Sequence, residues 1–533
     1  MKKIWNFRGG LHLEGHKTPT NQQDIRTPVL PERLFVSLQQ HIGTISEPIV
    51  KVGDRVLKGQ GLAIHKGTIS SAQHAPASGI IRAIDAQSTI HPAELPNLCI
   101  EIELDGQADS VDPEPIPDWH NNDPSVLLER ICQYGIVGMG GAGFPSRTKL
   151  SAHQVSVIDT LILNGAECEP YITCDDRLMQ TQPRAIISGL KIMRHILHTS
   201  GHSQLRCIIG IEANKPQALS AMKSAAKNED IEVVSVPTLY PAGGEKQLIR
   251  TLTGKEVPSG SLPSHIGVIC QNVATAFAVY QAIIQGQPLT SRLLTITGNL
   301  PQKPGNLHAL IGTPIQHLLH YCDTDTNHID SLIVGGPMMG IELHNPLLPI
   351  TKTTNCLIAN GPANTEPAVT LPCIRCGACA TACPINLLPQ QLYWHSRAHD
   401  FDKTQDYHLF DCIECGCCSY VCPSHIPLVH YYRFAKTQIW TLEREKRKSD
   451  VARQRHEQRE QRLEREKQAR KEKLKNRKKK NPKSGQDKKA TIEAALARVH
   501  DKKKAAQVEK KNTDDLNEAQ QKQIDEADKR RQD

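Results

Sequence analysis

Nine of the 17 cysteines in this 533-residue chain fall between Cys373 and Cys422. They form two matching runs, CIRCGACATACP from Cys373 and CIECGCCSYVCP from Cys412. Both read C-x2-C-x2-C-x3-C-P. Two-residue spacers let the backbone wrap so that three thiols face one inorganic centre. Gly377 and Gly416 follow the second cysteine of each run, where the backbone must pass close to that centre. Pro384 and Pro423 follow the fourth cysteine and end the wrap. A disulfide framework would not gather its cysteines into one short segment of a long chain. The pattern therefore predicts metal ligation in a reducing compartment.

A zinc ribbon needs two pairs of cysteines, and two four-cysteine runs exceed that need. The runs resemble those of bacterial two-cluster ferredoxins, in which the fourth cysteine of each run ligates the other cluster. That resemblance implies one [4Fe–4S] cluster on Cys373, Cys376, Cys379 and Cys422, and a second on Cys412, Cys415, Cys418 and Cys383. Cys417 aligns with Ala378 of the first run, which marks it as a buried small residue and not a ligand.

The chain is long enough for three or four domains. Its net charge of +8 comes from 64 Lys and Arg against 56 Asp and Glu, but the excess is local. Residues 441–533 carry 31 basic and 19 acidic residues, which leaves 33 basic and 37 acidic in the rest. The basic balance thus argues nothing about nucleic-acid binding by the folded part. No run of about 18 apolar residues is present to span a membrane. The start, MKKIWNFRGG, has no apolar core of a secretory signal.

The architecture read from the pattern is multidomain, α/β and α+β. Residues 1–119 hold short strands and turns. PIVKVGDRVLKGQGLAIHKG, followed by HAPASGIIRAI, resembles the barrel-sandwich fold of lipoyl and biotinyl domains, with Gly53, Gly59 and Gly61 at hairpin bends. Lys66 lacks the flanking pattern of a modified carrier lysine, so a structural or docking module is expected. Residues 120–288 alternate between strand and helix: a helix capped by Asp123 with Pro124 at its first position, strands at 159–164, 206–213 and 231–237, and a helix at 215–228. Residues 289–358 form the next unit, whose β-rich piece opens at RLLTIT (292–297) and ends near LIVGGPMMG (332–340). Residues 359–436 hold the cysteine runs. Residues 437–533 are a charged tail, helical or disordered, with no heptad seam. Within it TIEAALARV spaces Ile492, Leu496 and Val499 along one helical face. The tail reads equally as a solubilising segment and as one that docks on anionic headgroups or an acidic partner.

GMGGAGFPSRTKL runs from Gly138 to Leu150, and Gly138, Gly140 and Gly143 satisfy G-x-G-x-x-G. A helix-like segment precedes it, whereas a dinucleotide fingerprint follows a strand. The residues alone thus indicate a glycine-rich loop approaching phosphates or one tightly packed. The loop resembles that of the flavin-bearing, NADH-binding subunit of respiratory complex I. NGAECEPYITCDDR (164–177), YPAGGEKQLIRTLTGK (240–255) and CQNVATAF (270–277) are similar to segments of that subunit in the same order. With FRGGLHLEGH, the barrel-sandwich start, a β-grasp-like GGPMMG piece and the double ferredoxin run, the whole resembles the RnfC family, the C subunits of Rnf (Rsx) ion-translocating electron-transport complexes.

That resemblance implies that Gly138, Gly140, Gly141 and Gly143 line flavin and nicotinamide nucleotide, with Lys149 near a phosphate. It places Asn164 and Asn272 around FMN, Glu167 and Glu169 near the nicotinamide nucleotide, and Tyr240 and Glu245 by the flavin and hydride path. No residue is expected to act as an acid–base catalyst. The implied protein is a peripheral translocase and oxidoreductase subunit on the cytoplasmic face of the bacterial inner membrane. It would exchange electrons with NAD(H) and with integral-membrane and ferredoxin-like subunits through FMN and two clusters, and bind no nucleic acid. FMN is the expected converter, because flavin accepts a hydride and releases electrons singly. The sequence departs from the complex I pattern at Ala166, where that family has Asp, and at Tyr171-Ile172-Thr173, where it has Gly-Thr. Ala166 motivates an alternative, a non-catalytic iron–sulfur adaptor without flavin. A redox regulator with a nucleic-acid-binding tail is a third reading.

Overall fold

The computed structural model describes residues 3–154, 156–198, 205–362, 369–479 and 485–507. The chain divides into two units, Met1–Trp440 and Thr441–Asp533. In the first, strands β1 (Arg33–Ser37), β3 (Arg55–Val56), β6 (Gly79–Ser88) and β7 (Pro96–Leu104) form an antiparallel sheet in the order β1-β7-β6-β3. β2 (Glu47–Pro48), β4 (Gly61–Ile64) and β5 (Gln73–His74) form a second, in the order β2-β4-β5. Leu34, Val36, Val56, Leu62, Ile81, Ile100 and Ile102 fill the sandwich core. Gly53 and Gly59 take the left-handed conformations of bends, but Gly61 does not: it opens β4 beside an irregularity in the pairing with β5. Its lack of a side chain serves a bulge and not a turn. Lys66 is exposed and pairs with Glu47 at 3.2 Å.

Next come β8 (Thr160–Gly165), β9 (Arg206–Glu212), β10 (Glu232–Val236) and β11 (Val268–Asn272), all parallel in the order β10-β9-β8-β11. Both faces are covered, which is why these strands read as continuous apolar runs. Leu161, Leu163, Ile209, Ile211 and Ile269 point into one core. Ile162, Ile208, Val268 and Cys270 point into another. Each fully buried Leu, Ile or Val contributes roughly 1.5–3 kcal/mol. The helix Pro124–Gln133 is capped as its sequence predicts, the Asp123 carboxylate accepting from the Ser125 N–H.

A mixed five-stranded sheet follows: β12 (Ser291–Thr297), β13 (Gly305–Leu310), β14 (Ser331–Val334), β15 (Ile341–Leu343) and β16 (Cys356–Asn360), in the order β13-β12-β16-β14-β15. The helix Ile315–Tyr321 closes one face. The cysteine segment is helical, with Leu392, Tyr393, Leu409, Ile426 and Tyr432 in its own small core. The helix Leu428–Lys479 leaves it. Beyond residue 441 the described residues are helical, and Leu442, Val451, Leu463, Leu474, Ile492, Leu496 and Val499 are all exposed.

A strap, residues 5–27, extended apart from the short helix Thr18–Asn21, ties these domains together. Trp5 N–H donates to Thr251 O at 3.1 Å, Gly10 N–H to Ala382 O at 3.0 Å, and Tyr171 N–H to Gly15 O at 2.8 Å. Leu11 and Tyr240 exchange two backbone bonds at 2.8 and 2.9 Å. Gly9 and Gly10 are both left-handed, and a Cβ on either would strike a backbone carbonyl, of Ala382 and Cys383 or of Tyr240. FRGG is thus a sequence for close backbone approach.

Lys352 forms a second joint. It is fully buried, and its Nζ donates to Ala72 O at 2.7 Å and Gly135 O at 2.8 Å, while its backbone N–H donates to the Gln40 side chain. Burial lowers its pKa to about 7. The folded chain therefore releases this proton near pH 7, and the unfolded chain holds it to about 10.5. Between those values the unfolded state binds more protons, so this lysine's contribution to stability rises with pH. Urea unfolding should show wild type gaining on a Lys352→Met variant as pH is raised from 7 to 9. A constant gap would refute the neutral buried lysine.

Candidate functional site

β8 lies between β9 and β11, so the chain leaves it in one direction and returns on its other side. In an open parallel sheet the crevice at such a reversal, beyond the carboxyl ends of the strands, is where ligands bind. Asn164 and Asn272 occupy those two ends and are register partners. Both side chains are held. Asn164 accepts from the Ala166 N–H and donates to Gly243 O at 2.8 Å. Asn272 caps the helix Val273–Ile284 by accepting from the Ala274 N–H, and donates to the Asp175 carboxylate at 2.6 Å.

The glycine loop closes over this point. Gly138 N–H donates to Phe144 O at 2.8 Å, and Met139 N–H to the Thr275 hydroxyl at 3.0 Å. A Cβ on Gly140 would lie 3.3 Å from the Asn272 Cβ, so the loop rests directly on the strand end. A helix does precede the loop, as the sequence indicates. The loop reaches the crevice as a separate piece laid against it, and not as the usual strand-to-helix turn. Lys149, on the short helix Ser146–Leu150, pairs with Glu245 at 2.6 Å. Glu245 is the first residue of the helix Glu245–Thr253, where a carboxylate suits the helix dipole.

The acidic turn is built differently from a free nucleotide-facing loop. Two lysines hold its backbone from outside. Lys17 Nζ donates to the carbonyls of Glu167, Glu169 and Ile172 at 2.6–3.0 Å. Lys215, fully buried, donates to Ala166 O, Glu167 O and the Glu212 carboxylate. The Glu167 carboxylate accepts from the Asp175 and Asp176 N–H groups and so caps the helix Cys174–Thr181. Burial pushes its pKa up to about 8, against the pull of Lys17 and Lys215. Burial also pushes Glu169 up to about 7, opposed by the N–H groups of Met338 and Met339. Sequence reasoning does not single out Lys17, Lys215, Asp175 or Met338. Lys17 and Asp175 lie in or beside the motif segments, but nothing local signals which distant carbonyls a buried lysine will hold.

Tyr240 is buried. Its hydroxyl donates to the Cys415 carbonyl at 2.7 Å, with Glu169 at 3.5 Å. Around it pack Leu11, Cys168, Met338, Ala382, Ile413 and Cys417. Gly336 has no room for a Cβ against the Glu169 carboxylate. The parallel-sheet domain, the five-stranded sheet and the cysteine segment thus meet around one residue.

The cysteines converge in two places. One cavity is lined by Cys373, Cys376, Cys379 and Cys422. The other is lined by Cys383, Cys412, Cys415 and Cys418, together with Cys417. Each therefore draws three thiols from one run and the fourth from the other. All are free thiols.

Residues 5–107 match the family model described as the RnfC barrel sandwich hybrid domain, residues 131–281 the Nuo51 FMN-binding domain, and residues 372–426 a 4Fe-4S dicluster domain. Proteins named as the C subunit of an ion-translocating oxidoreductase complex are similar over most of the chain. The protein from Serratia proteamaculans is 45% identical over 502 residues, covering 94% of this chain and 70% of that one. That from Yersinia pestis is 46% identical over 465 residues, covering 86% and 74%. The chain belongs to the RnfC family, the C subunits of ion-translocating oxidoreductase complexes. A third relative, from Cronobacter sakazakii, is 47% identical over 506 residues, and the chain spans 64% of its length. An NAD+-reducing [NiFe]-hydrogenase in the H2-reduced state is similar in structure at a TM-score of 0.41 and 17% identity, covering 57% of this chain and 61% of that one.

The chain thus combines a barrel-sandwich domain, an FMN-binding domain and an iron–sulfur domain. The donors fit the groups. A glycine loop whose backbone lies against paired asparagines at a sheet reversal suits a flavin nucleotide. Four converging thiols suit an iron–sulfur cubane. Ala166 is fully buried and its side chain offers no polar contact, so the Asp of the complex I pattern has no functional substitute at that position.

Cys417 is fully buried yet lines a thiol cavity, which makes its role measurable. Iron analysis of anaerobically purified protein should show Cys417→Ala unchanged. Cys422→Ala should lose iron from the cavity of Cys373, Cys376 and Cys379, although Cys422 belongs to the other run. Iron loss in Cys417→Ala would make it a ligand.

Proposed function

We propose that this chain is the NAD(H)-linked electron-transfer subunit of an ion-translocating complex. It connects a nicotinamide nucleotide, FMN and two [4Fe–4S] clusters to membrane and ferredoxin-like subunits from the cytoplasmic face of the inner membrane. The observation that carries this reading is the Tyr240–Cys415 hydrogen bond, which joins the domain matched as FMN-binding to a cluster-type thiol cavity. Among the described residues no helix is long and apolar enough to cross a membrane, so the attachment proposed is peripheral.

Bound FMN supplies exchange of two electrons with a nicotinamide and of single electrons with iron–sulfur centres. The residues proposed to hold it are the backbone of Gly138, Gly140, Gly141 and Gly143, with Asn164 and Asn272 below and Lys149 toward phosphate. Glu167 and Glu169 face inward in their own networks. Their proposed contribution is to fix the turn beside the nicotinamide nucleotide and not to bind it through free carboxylates. Glu245 holds Lys149 and thereby sets the charge at the mouth of the crevice. Tyr240 fixes the cysteine segment against the crevice wall. Cys373, Cys376, Cys379 and Cys422 hold one cluster; Cys412, Cys415, Cys418 and Cys383 hold the other. The sheet Ser291–Asn360 is proposed to be the β-grasp-like domain, bracing the joint through Met338.

The adaptor reading keeps a specific observation in its favour, the buried Ala166. Flavin content separates the two. Anaerobically purified protein should contain FMN, and NADH should bleach it and then reduce the clusters. Gly140→Val, which pushes a branched side chain into Asn272, should weaken FMN retention by about tenfold or more, equivalent to about 1.4 kcal/mol, and leave iron content intact. Iron-replete protein that neither holds FMN nor responds to NADH would leave only the adaptor.

A further inference from the structure

The two cysteine runs are related position by position, but charge is arranged differently around them. Arg375 and Glu414 hold the same place, one residue before the second cysteine, and share a left-handed backbone at φ 57°. Arg375 is exposed, and so is Cys376 beside it. At the other thiol cavity Cys383, Cys415 and Cys418 are all buried. There Glu414 is shared by two cations of the helix that follows. Arg433 pairs with it at 2.9 Å and Lys436 at 2.8 Å, one on each carboxylate oxygen. Arg433 also donates to Met339 O at 3.4 Å. Lys436 is 6% exposed, and its Nζ donates a second bond to the Cys412 carbonyl at 2.7 Å. Asp411, the residue before Cys412, is already engaged by Lys246 at 3.8 Å and by the Ser259 hydroxyl. Two cations thus share one carboxylate, and one positive charge is left in excess against the ligand loop. Lys436 is the sole buried Lys or Arg among the described residues of 369–440.

A buried ammonium is costly to keep dry, and clipping one carbonyl needs only a neutral donor. The charge itself therefore calls for a purpose. A [4Fe–4S] centre gains one negative charge when it is reduced, and dry surroundings oppose that gain. At the cavity of Cys376, water meets an exposed ligand and can answer the added charge. At the cavity of Cys383, Cys412, Cys415 and Cys418, three of the four thiols are sealed from water. A fixed cation in such a low-dielectric setting acts far more strongly than it would in water. We infer that Lys436 is a positioning residue for electron transfer, whose buried charge holds the reduction potential of this cluster above the value that burial alone would give it. The inference rests on the two-cluster reading above. Lys436 ligates nothing; it acts through the Cys412 carbonyl and through its field at the thiols. The same ligand loop is the one that Tyr240 ties to the parallel-sheet domain. Lys436 therefore keeps reducible the centre that lies nearest that joint.

The test uses the full chain, anaerobic and iron-replete, titrated with dithionite and followed by low-temperature electron paramagnetic resonance. Lys436→Met removes both charge and donor. Lys436→Gln removes the charge and keeps a neutral donor for the Cys412 carbonyl. In each, one cluster should become about tenfold harder to reduce, a fall of about 59 mV for a one-electron centre. The other cluster should keep its midpoint, and iron content should match wild type. Arg375→Met, at the exposed counterpart, should leave both midpoints in place. A purely structural clip gives the opposite sign, because a loosened loop admits water, and water favours the more negative reduced form. A midpoint that rises or stays put in Lys436→Gln, or that falls equally for both clusters, overturns the inference. So does loss of iron in both Lys436 variants, which would make the residue a clip alone. Iron content below that of two full clusters in wild type would instead sink the two-cluster reading, and this inference with it.

Discussion

The hydroxyl of one tyrosine fixes the distance over which this chain can act. Tyr240 donates to the Cys415 carbonyl from within a buried shell contributed by the strap, the acidic turn, the five-stranded sheet and both cysteine runs. A single neutral hydrogen bond is worth roughly 1 kcal/mol, but an orphaned buried carbonyl costs about 1–3 kcal/mol. Burial, with Glu169 and several thiols nearby, drives the phenol pKa far up, so the group stays a donor at any working pH. Together with the bond from Gly10 to Ala382 and the pair of Lys246 with Asp411, this contact holds the parallel-sheet domain against the thiol cavity of Cys412–Cys418.

Around that contact the protein buries charge in unusual amounts. Lys17, Lys215, Glu167, Glu169 and Asp175 lie together beneath the crevice. Buried ion pairs return less than their desolvation unless their remaining donors and acceptors are satisfied. Here they are: the lysines direct their protons at carbonyls of the acidic turn, and the Glu167 oxygens cap a helix N-terminus. The network is better understood as a mould for the turn 166–173 than as a reserve of stability. It gives positive φ to Glu167 and Tyr171 and leaves the two asparagines with fixed orientations.

Much of this architecture is legible in the sequence, and the boundary of legibility has a physical origin. The cysteine runs announce themselves because ligand spacing is local, and the grouping of three thiols with a fourth from the other run follows the ferredoxin pattern. β8, β9 and β10 fall within a residue of their expected ends, since a strand buried on both faces is a plain apolar run, whereas β11 is not among the expected strands. Gly61 departs from expectation, because a glycine at a bulge and one at a bend look alike without the partner strand. The glycine loop is readable as a loop. Its place is not: that depends on β11 returning beside β8, a pairing across more than a hundred residues. The family resemblance implies flavin and nucleotide roles for Tyr240 and Glu169. The fold also makes them members of an interdomain joint, and no local pattern encodes which carbonyl a buried hydroxyl will find.

The strap has a consequence for how such a chain is made. Gly9 and Gly10 find their carbonyls on Ala382 and Cys383, some 370 residues later in synthesis. At roughly 5–20 residues per second, that interval is on the order of 20–75 seconds. Throughout it the FRGG glycines lack the carbonyls of Ala382 and Cys383, although Leu11 can pair with Tyr240 once that residue has been made. The barrel-sandwich core and much of the parallel sheet can settle as they emerge. The strap cannot lock until the first cysteine run is out and shaped. Maturation therefore has a built-in order, in which the contact that seals the joint is made late, after there is something at the far end to seal.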